Sequence, residues 1–322
     1  MLITGANGAG KTNLLEALHV GTQGFSPRTR SDAQMVRFGA DAGRIELRGR
    51  NEDVRFASDV LLSVRGSRRA RLNGSPLNSA ELLRSELRAL VFTPDRLAVV
   101  KGGPAVRRAY FDRVLARLQP AQAGLPQAYL SALAQRNAAL RRAQLGLSDR
   151  SAVEPWTEQV VALAADLVEQ RLATLSSLGE GFAAHAGALG LATATLEYLG
   201  DAPTREQLDS RLDRDIERGT TGLGPHLHDV VVSSESRDLR QYGSQGEQRL
   251  AVLSLLLAEA SLLPAPPLLL LDDVLSELDL DRRRTLAGLV DDRGQTVITA
   301  THASALPATP AQIVEVEPGT AH

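Results

Sequence analysis

Residues Gly5 to Thr12 read G-A-N-G-A-G-K-T, with the apolar run Met1-Leu2-Ile3-Thr4 before them and the helical run Asn13-Leu14-Leu15-Glu16-Ala17-Leu18 after them. Strand, glycine-rich loop and helix in this order make a phosphate-binding P-loop. The chain must therefore build an α/β layer around a strand that ends at this loop. Gly5, Gly8 and Gly10 let backbone N–H groups turn inward around phosphate oxygens, and Ala6, Asn7 and Ala9 complete the cradle. The helix N-terminus adds partial positive charge. Lys11 is expected at the β- and γ-phosphates, and Thr12 is expected to offer its hydroxyl to magnesium, so the cofactors to expect are ATP and Mg2+.

Composition narrows the classes. Hydrophobic content of 43% and charged content of 23% over 322 residues suit a globular protein with one large or two ordinary domains. No apolar run approaches the ~20 residues of a membrane span. No basic leader with an apolar core precedes the loop. The chain has no cysteine, which removes disulfides, thiolate metal sites and cysteine nucleophiles. A cytoplasmic protein with no membrane partner is the expectation. A net charge of −2 means that any nucleic-acid contact comes from local patches. Aromatic content of 3% is too low for a base-stacking single-strand groove, which favours contacts to backbone phosphate.

Alternating segments follow the P-loop helix: Arg44 to Arg48, Val54 to Ala57, Asp59 to Val64 and Arg69 to Leu72, the last closed by Asn73-Gly74. They predict an antiparallel meander with a tight turn. Leu90-Val91-Phe92 is a further strand. From Lys101 the pattern turns helical, with Val106, Tyr110, Phe111, Val114, Leu115 and Leu118 on one face. Helices are predicted from about Gln127 to Gln144 and Pro155 to Leu178, and Thr204 with Gln207 forms a capping box. Strands return at Asp229 to Val232, Pro267 to Leu271 and Thr296 to Thr301, with a buried helix over Glu247 to Leu263. The expected division is an ATPase head made of residues 1–100 and 220–322, split by a helical lobe over 101–219. Its fold class is α/β, a P-loop head with a mixed sheet and an inserted helical lobe.

Leu268 to Leu271 followed by Asp272-Asp273 is a Walker B pattern. Its strand would deliver Asp272 to magnesium and Asp273 to the water that attacks the γ-phosphate. Ser276-Glu277-Leu278-Asp279 follows, and Thr301-His302 ends the next strand. Upstream stands Ser244-Gln245-Gly246-Glu247-Gln248. Ser244 with Glu247 also reads as a capping box, and His302 as a solvated loop residue.

The order P-loop, insertion, S-x-G-x-Q, Walker B, S-x-L-D and T-H resembles ABC-type ATPase heads. That resemblance implies that Ser244 and Gly246 of one subunit contact the γ-phosphate held by another, that Asp279 lies at the subunit interface, and that His302 senses the γ-phosphate. Within that class the chain resembles the RecF family. The matching stretches are Gly5 to Ala17, Phe92-Thr93-Pro94-Asp95, Lys101-Gly102-Gly103-Pro104 with Arg107 to Asp112, Gln135 to Arg141, Gly224-Pro225-His226 and Asp272 to Asp279. The family carries more sequence before its P-loop than these four residues, which implies a truncated start lacking strands that complete the sheet and help hold adenine. After Gly224-Pro225-His226 the family continues with an arginine and two acids, where this chain has Leu227-His228-Asp229. No γ-phosphate-sensing glutamine is evident near Phe92.

The resemblance implies a DNA-binding protein of recombinational repair and replication. ATP would drive a homodimer that clamps DNA at gaps and promotes RecA loading with RecO and RecR, and slow, DNA-stimulated hydrolysis would reset it. A non-hydrolysing nucleotide-gated scaffold and a transporter ATPase subunit are the alternatives. Arg65, Arg68, Arg69 and Arg71 in the meander, and Arg107, Arg108, Arg113, Arg117, Arg136, Arg141 and Arg142 in the helices, are the candidate DNA contacts. Arg107 and Arg108 could instead brace the join between lobes.

Overall fold

The computed structural model describes residues 1–29, 31–51, 54–291 and 294–322. Its contacts divide the chain into two compact units, residues 1–96 with 263–322, and residues 97–262. The strands in chain order are β1 (Leu2–Thr4), β2 (Ala42–Asn51), β3 (Val54–Ser63), β4 (Arg69–Leu72), β5 (Ser75–Leu77), β6 (Ala89–Phe92), β7 (Ala194–Leu199), β8 (Asp229–Ser234), β9 (Arg237–Asp238), β10 (Leu268–Leu271), β11 (Thr296–Ala300), β12 (Ile313–Glu317) and β13 (Thr320–Ala321).

In the first unit six strands form one sheet in the order β13-β12-β1-β11-β10-β6. All neighbours run parallel except β13, which is antiparallel to β12. The sheet is mixed, as the motif order predicts. Its central strands are continuously apolar and buried, with Leu2, Ile3, Leu269, Leu270 and Leu271 all inaccessible. This is the pattern of parallel strands covered on both faces. The P-loop helix, Lys11–Gln23, follows β1 and ends at Gly24, whose φ of 73° allows its N–H to return to the carbonyl of Val20.

A second sheet, in the order β2-β3-β4-β5, is the antiparallel meander. Asn73 and Gly74 take φ of 51° and 83°, as a two-residue hairpin turn requires. Ile45, Leu47, Val60 and Leu62 point to its inner face, where Gly21 of the P-loop helix lets the sheet approach. A Cβ on Gly21 would come within 2.3 Å of Leu47. The Ser58 hydroxyl donates to the carbonyl of Gly21 at 2.6 Å. Val20, Val36, Val60, Leu62, Leu83 and Leu87 form the core beneath.

The second unit is built on helices Pro104–Leu118, Leu125–Gln144 and Glu154–Ala188. The third is ten residues longer at its C-terminal end than the sequence pattern indicates. Gly179 and Gly181 do not break it, and Gly181 lets Ala258 pack at 3.5 Å from where a Cβ would stand. Ala258 belongs to the helix Gln245–Leu262, which runs along the long helix and carries the S-x-G-x-Q motif at its start. Residues 220–262, placed with the head by motif order, thus pack in this unit together with a three-stranded sheet, β7-β8-β9. The Thr204–Gln207 capping box forms with both of its hydrogen bonds, at 3.2 and 2.9 Å. Among the described residues, no helix is long and apolar enough to cross a membrane.

Candidate functional site

The P-loop sits at the C-terminal end of β1, where an open parallel sheet presents its ligand crevice. Gly5, Gly8 and Gly10 take φ of 151°, 81° and 111°. At Gly5 a Cβ would lie 2.3 Å from the carbonyl oxygen of Val316 on the neighbouring strand, so only glycine fits. Gly10 is the N-cap, and the helix opens directly with Lys11 and Thr12. The Lys11 ammonium donates to the carbonyls of Gly5 at 2.7 Å and Ala6 at 2.9 Å, which folds the side chain back across the loop.

The Walker B strand brings Asp272 beside this helix. β10 lies between β11 and β6, and the Asp272 N–H donates to the Phe92 carbonyl at 2.9 Å. Asp272 is 4% exposed. The Thr12 hydroxyl lies 3.0 and 3.1 Å from its two carboxylate oxygens, and the Thr299 hydroxyl donates to one of them at 2.8 Å. Burial pushes the Asp272 carboxyl above its ordinary value near 3.8, and the Asp273 charge acts in the same direction. The hydroxyls of Thr299 and Thr12 oppose them. A buried carboxylate whose hydrogen-bond partners are neutral hydroxyls is short of positive charge. Together with the Thr12 hydroxyl it offers two hard oxygens to a dication. Magnesium keeps water and substrate phosphate for its other positions, so two protein oxygens suit it. Among the described residues there is no cluster of three or more histidine, cysteine or acidic side chains that could hold a metal by itself.

Thr299 is a site residue that the sequence reading missed. Its hydroxyl also accepts the N–H of Asp273 at 2.8 Å, so it holds both Walker B positions from the adjacent strand. The visible signal was a polar residue inside an apolar central strand. Asp273 has φ of 49°, unusual for a residue other than glycine. This bend ends the strand, so Asp272 is buried and Asp273 exposed. His302 stands exposed just past β11, at the same end of the sheet as the P-loop. The Asp279 carboxylate accepts the N–H of Arg282 at 2.9 Å at the start of helix Leu280–Asp291.

Beside the P-loop helix is a cavity of about 440 Å³ lined by Asn13, Glu16, Arg28, Thr29 and Asp95 among others. Arg28 pairs with Glu16 at 3.2 Å.

Ser244 and Gly246 are exposed in the second unit, at the start of the helix Gln245–Leu262. The Ser244 N–H donates to the Glu247 carboxylate at 2.7 Å and the Ser244 hydroxyl accepts the Glu247 N–H at 3.2 Å. The capping box therefore exists, and it draws the Glu247 carboxyl below its usual range. It leaves the outer side of Ser244 and the bare backbone of Gly246 open, since a Cβ on Gly246 would meet nothing closer than 3.9 Å.

The candidate arginines divide. Arg136 is wholly buried against Asp215, and Arg107 is bound by Asp229 through contacts of 2.7 and 2.6 Å. Arg117 pairs with the buried Glu259, and Arg68 pairs with Asp32 and the Gly24 carbonyl. These four are structural. Arg108 donates to the His228 carbonyl at 2.6 Å, so Arg107 and Arg108 brace the second unit internally. Arg65, Arg69, Arg71, Arg113, Arg141 and Arg142 are exposed.

The family model that matches the chain is the RecF/RecN/SMC N-terminal domain, over residues 1–319. DNA replication and repair protein RecF of Heliobacterium modesticaldum is 34% identical over 319 residues, covering 94% of this chain and 86% of that protein. The same protein of Bacillus subtilis is 35% identical over 322 residues, covering 93% and 86%. A solved structure of the recombination mediator protein RecF-ATP in the RecFOR pathway superposes with a TM-score of 0.85 at 27% identity, covering all of this chain and 90% of that one.

Proposed function

Since the chain belongs to the RecF family of SMC-related P-loop heads, we propose that it is an ATP-dependent DNA-binding protein of replication and recombinational repair. The observation that carries this is the Thr12–Asp272–Thr299 cluster beside the P-loop, which supplies the two oxygens that Mg·ATP needs from a protein. Lys11 would leave the loop carbonyls for the β- and γ-phosphates, while the loop N–H groups from Ala6 to Gly10 would donate to the remaining phosphate oxygens. Magnesium, when bound through Thr12 and Asp272, would neutralise the phosphate charge. Asp273 would orient the attacking water, with Thr299 fixing its backbone. The cavity along the P-loop helix suits the nucleoside end of ATP.

Ser244 and Gly246 would close on the γ-phosphate of a second copy, and His302 would report the γ-phosphate to that interface. The functional head would comprise residues 1–100 and 220–322, with 101–219 as the helical lobe. Dimer closure would hold DNA at gaps, RecO and RecR would be the partners in RecA loading, and slow hydrolysis stimulated by DNA would release the clamp in the cytoplasm.

Gel filtration with light scattering, run with Mg·ATP, Mg·ADP and no nucleotide, tests the cycle. A doubling of mass with ATP alone is expected, and its loss in Lys11→Ala. Identical masses in all three conditions would overturn the ATP-driven dimer.

A further inference from the structure

The meander sheet carries a surface that the nucleotide site does not use. Its pairing places Arg44, Arg48, Arg50, Arg55, Arg69 and Arg71 on one face, opposite the face that packs on the P-loop helix. All six are exposed. Among the described residues two carboxylates share the face, Glu46 and Asp59, and both pair with Arg44. Arg50 stands directly across the ladder from Arg55. Like charges in that position destabilise a hairpin unless a polyanion covers them. From Ala42 to Arg50 the strand runs about 27 Å at 3.4 Å per residue. This matches about eight rises along one DNA strand.

A turn stands at the Ala42 end of this face. The Ala40 N–H returns to the Arg37 carbonyl at 3.0 Å, and Gly39 has φ of 84°. That makes Arg37–Ala40 a β-turn of type II character, with Phe38 at its leading corner. The turn is anchored on both sides, by buried Val36 before it and by the Val64 N–H donating to the Asp41 carbonyl at 3.0 Å after it. Phe38 is fully exposed, whereas the other five phenylalanines are at least half-buried. Leu61 on the face and Val64 beside the turn are exposed apolar neighbours.

We propose that this sheet face seats the duplex side of a single-strand/double-strand DNA junction and that Phe38 stacks on the first unpaired base. The proposal rests on the DNA-binding reading above and gives it a residue that recognises structure. The arginines supply contact with phosphate that is indifferent to sequence and duplex length. The ring adds a contact that a base inside a duplex cannot accept, because stacking on both sides covers its π-faces, whereas an unpaired base at a junction can turn a face to it. Charge complementarity selects nucleic acid over an apolar protein groove as the occupant.

The test uses the full chain with Mg·ATP and three probes: a blunt duplex, a duplex of equal length with a single-strand tail, and that tailed duplex with 2-aminopurine at its first unpaired position. The unaltered protein should prefer the tailed duplex and quench the probe. Phe38→Ala should lose about 5- to 140-fold of affinity for the tailed duplex, the range measured for one stacked base, and leave blunt-duplex affinity unchanged. Phe38→Trp should retain both preference and quenching. Replacing Arg48, Arg50 and Arg55 by alanine should weaken both DNAs and reduce the salt slope by about 3. If the unaltered protein binds DNA and Phe38→Ala keeps the unaltered protein's affinity for the tailed duplex and its quenching of the probe, the stacking role is overturned. If the unaltered protein binds none of the probes, the DNA reading itself fails, and the junction proposal fails with it.

Discussion

Arg136 offers the sharpest separation between a DNA contact and an internal strut. Its guanidinium and the Asp215 carboxylate are 0% and 1% exposed and 2.9 Å apart. The same guanidinium donates to the hydroxyls of Thr157 at 3.0 Å and Thr221 at 2.7 Å. The second Asp215 oxygen accepts the N–H of Gly222 at 3.1 Å. Arg136→Met keeps the volume and the aliphatic stem but strands a buried carboxylate. Breaking one side of such a pair costs about 3–5 kcal/mol, because the remaining charge is desolvated without compensation. Residues 97–262 form a unit in the size class where 1 kcal/mol moves the melting midpoint by about 2–4 °C, so a drop of about 6–20 °C is expected. The double variant Arg136→Met/Asp215→Leu removes both charges and should recover most of that loss. Calorimetric melts of the three proteins measure this. Affinity for duplex DNA and its salt slope should stay unchanged below the melting range of the weakest variant. A single variant that melts within about 1 °C of the parent, or that lowers the salt slope by one phosphate contact, would refute the buried-strut argument.

Other expectations follow from the same geometry. Lys11→Ala should abolish ATP turnover, since the ammonium that bridges the loop and the phosphates is gone; turnover at the parental rate removes the P-loop assignment. Asp273→Asn should bind ATP and trap the dimer for longer than the parent, read by light scattering over time. Ser244→Asp should keep the helix cap and the melting midpoint, because aspartate caps as well as serine. Its charge should repel a triphosphate, so ATP-driven dimerisation should be lost; normal dimerisation would leave Ser244 as a cap alone. His228 is held at about 4, below its ordinary value near 6.5, by burial first and by the Arg171 charge next. An unfolded chain takes up that proton from pH 6.5 downward and the folded one does not until about pH 4, so His228 makes stability fall as pH drops through that window. His228→Gln should flatten urea-unfolding stability between pH 6.5 and pH 4.5 relative to the parent.

The meeting of the P-loop with Asp272 was legible because each motif is local. A P-loop needs its glycines, lysine and threonine within eight residues, and a Walker B aspartate needs only an apolar strand before it. Thr299 was not legible, because its role depends on β11 lying beside β10, a pairing that no spacing in the sequence announces. The arginines failed to separate for the same reason. Arg107 and Arg113 sit on one helix and look alike in sequence. Arg107 faces Asp229, 122 residues further on, and Arg113 is exposed. Charge patterning reports the composition of a helix face, and whether that face meets a distant carboxylate is decided by tertiary packing.

Of the 36 basic residues only Lys11 and Lys101 are lysines, and the arginine partners give that scarcity a physical reading. Arg107 makes contacts with two oxygens of Asp229 and with the carbonyls of Val100 and Gly102. Arg171 holds both oxygens of Asp112 at 2.8 and 2.9 Å and the carbonyl of Pro225 at 2.9 Å. An ammonium has three donors and no planar fork, so lysine could not satisfy either set at once. Of the stretches that resemble the RecF family, Lys101 to Asp112 supplies Arg107 and Asp112, and Gly224 to His226 supplies the Pro225 carbonyl, whereas Arg171 and Asp229 come from outside them. Asn137 accepts from Thr221, and the Tyr129 hydroxyl meets His226 at 2.7 Å. The second unit is thus knit together by largely buried ion pairs and hydrogen bonds, several of them made by residues in stretches that resemble the RecF family. Among the described residues Lys11 makes only two contacts, with the carbonyls of Gly5 and Ala6, and the phosphate role proposed for it calls for a compact charge able to leave such partners, which an ammonium is and a planar fork is not.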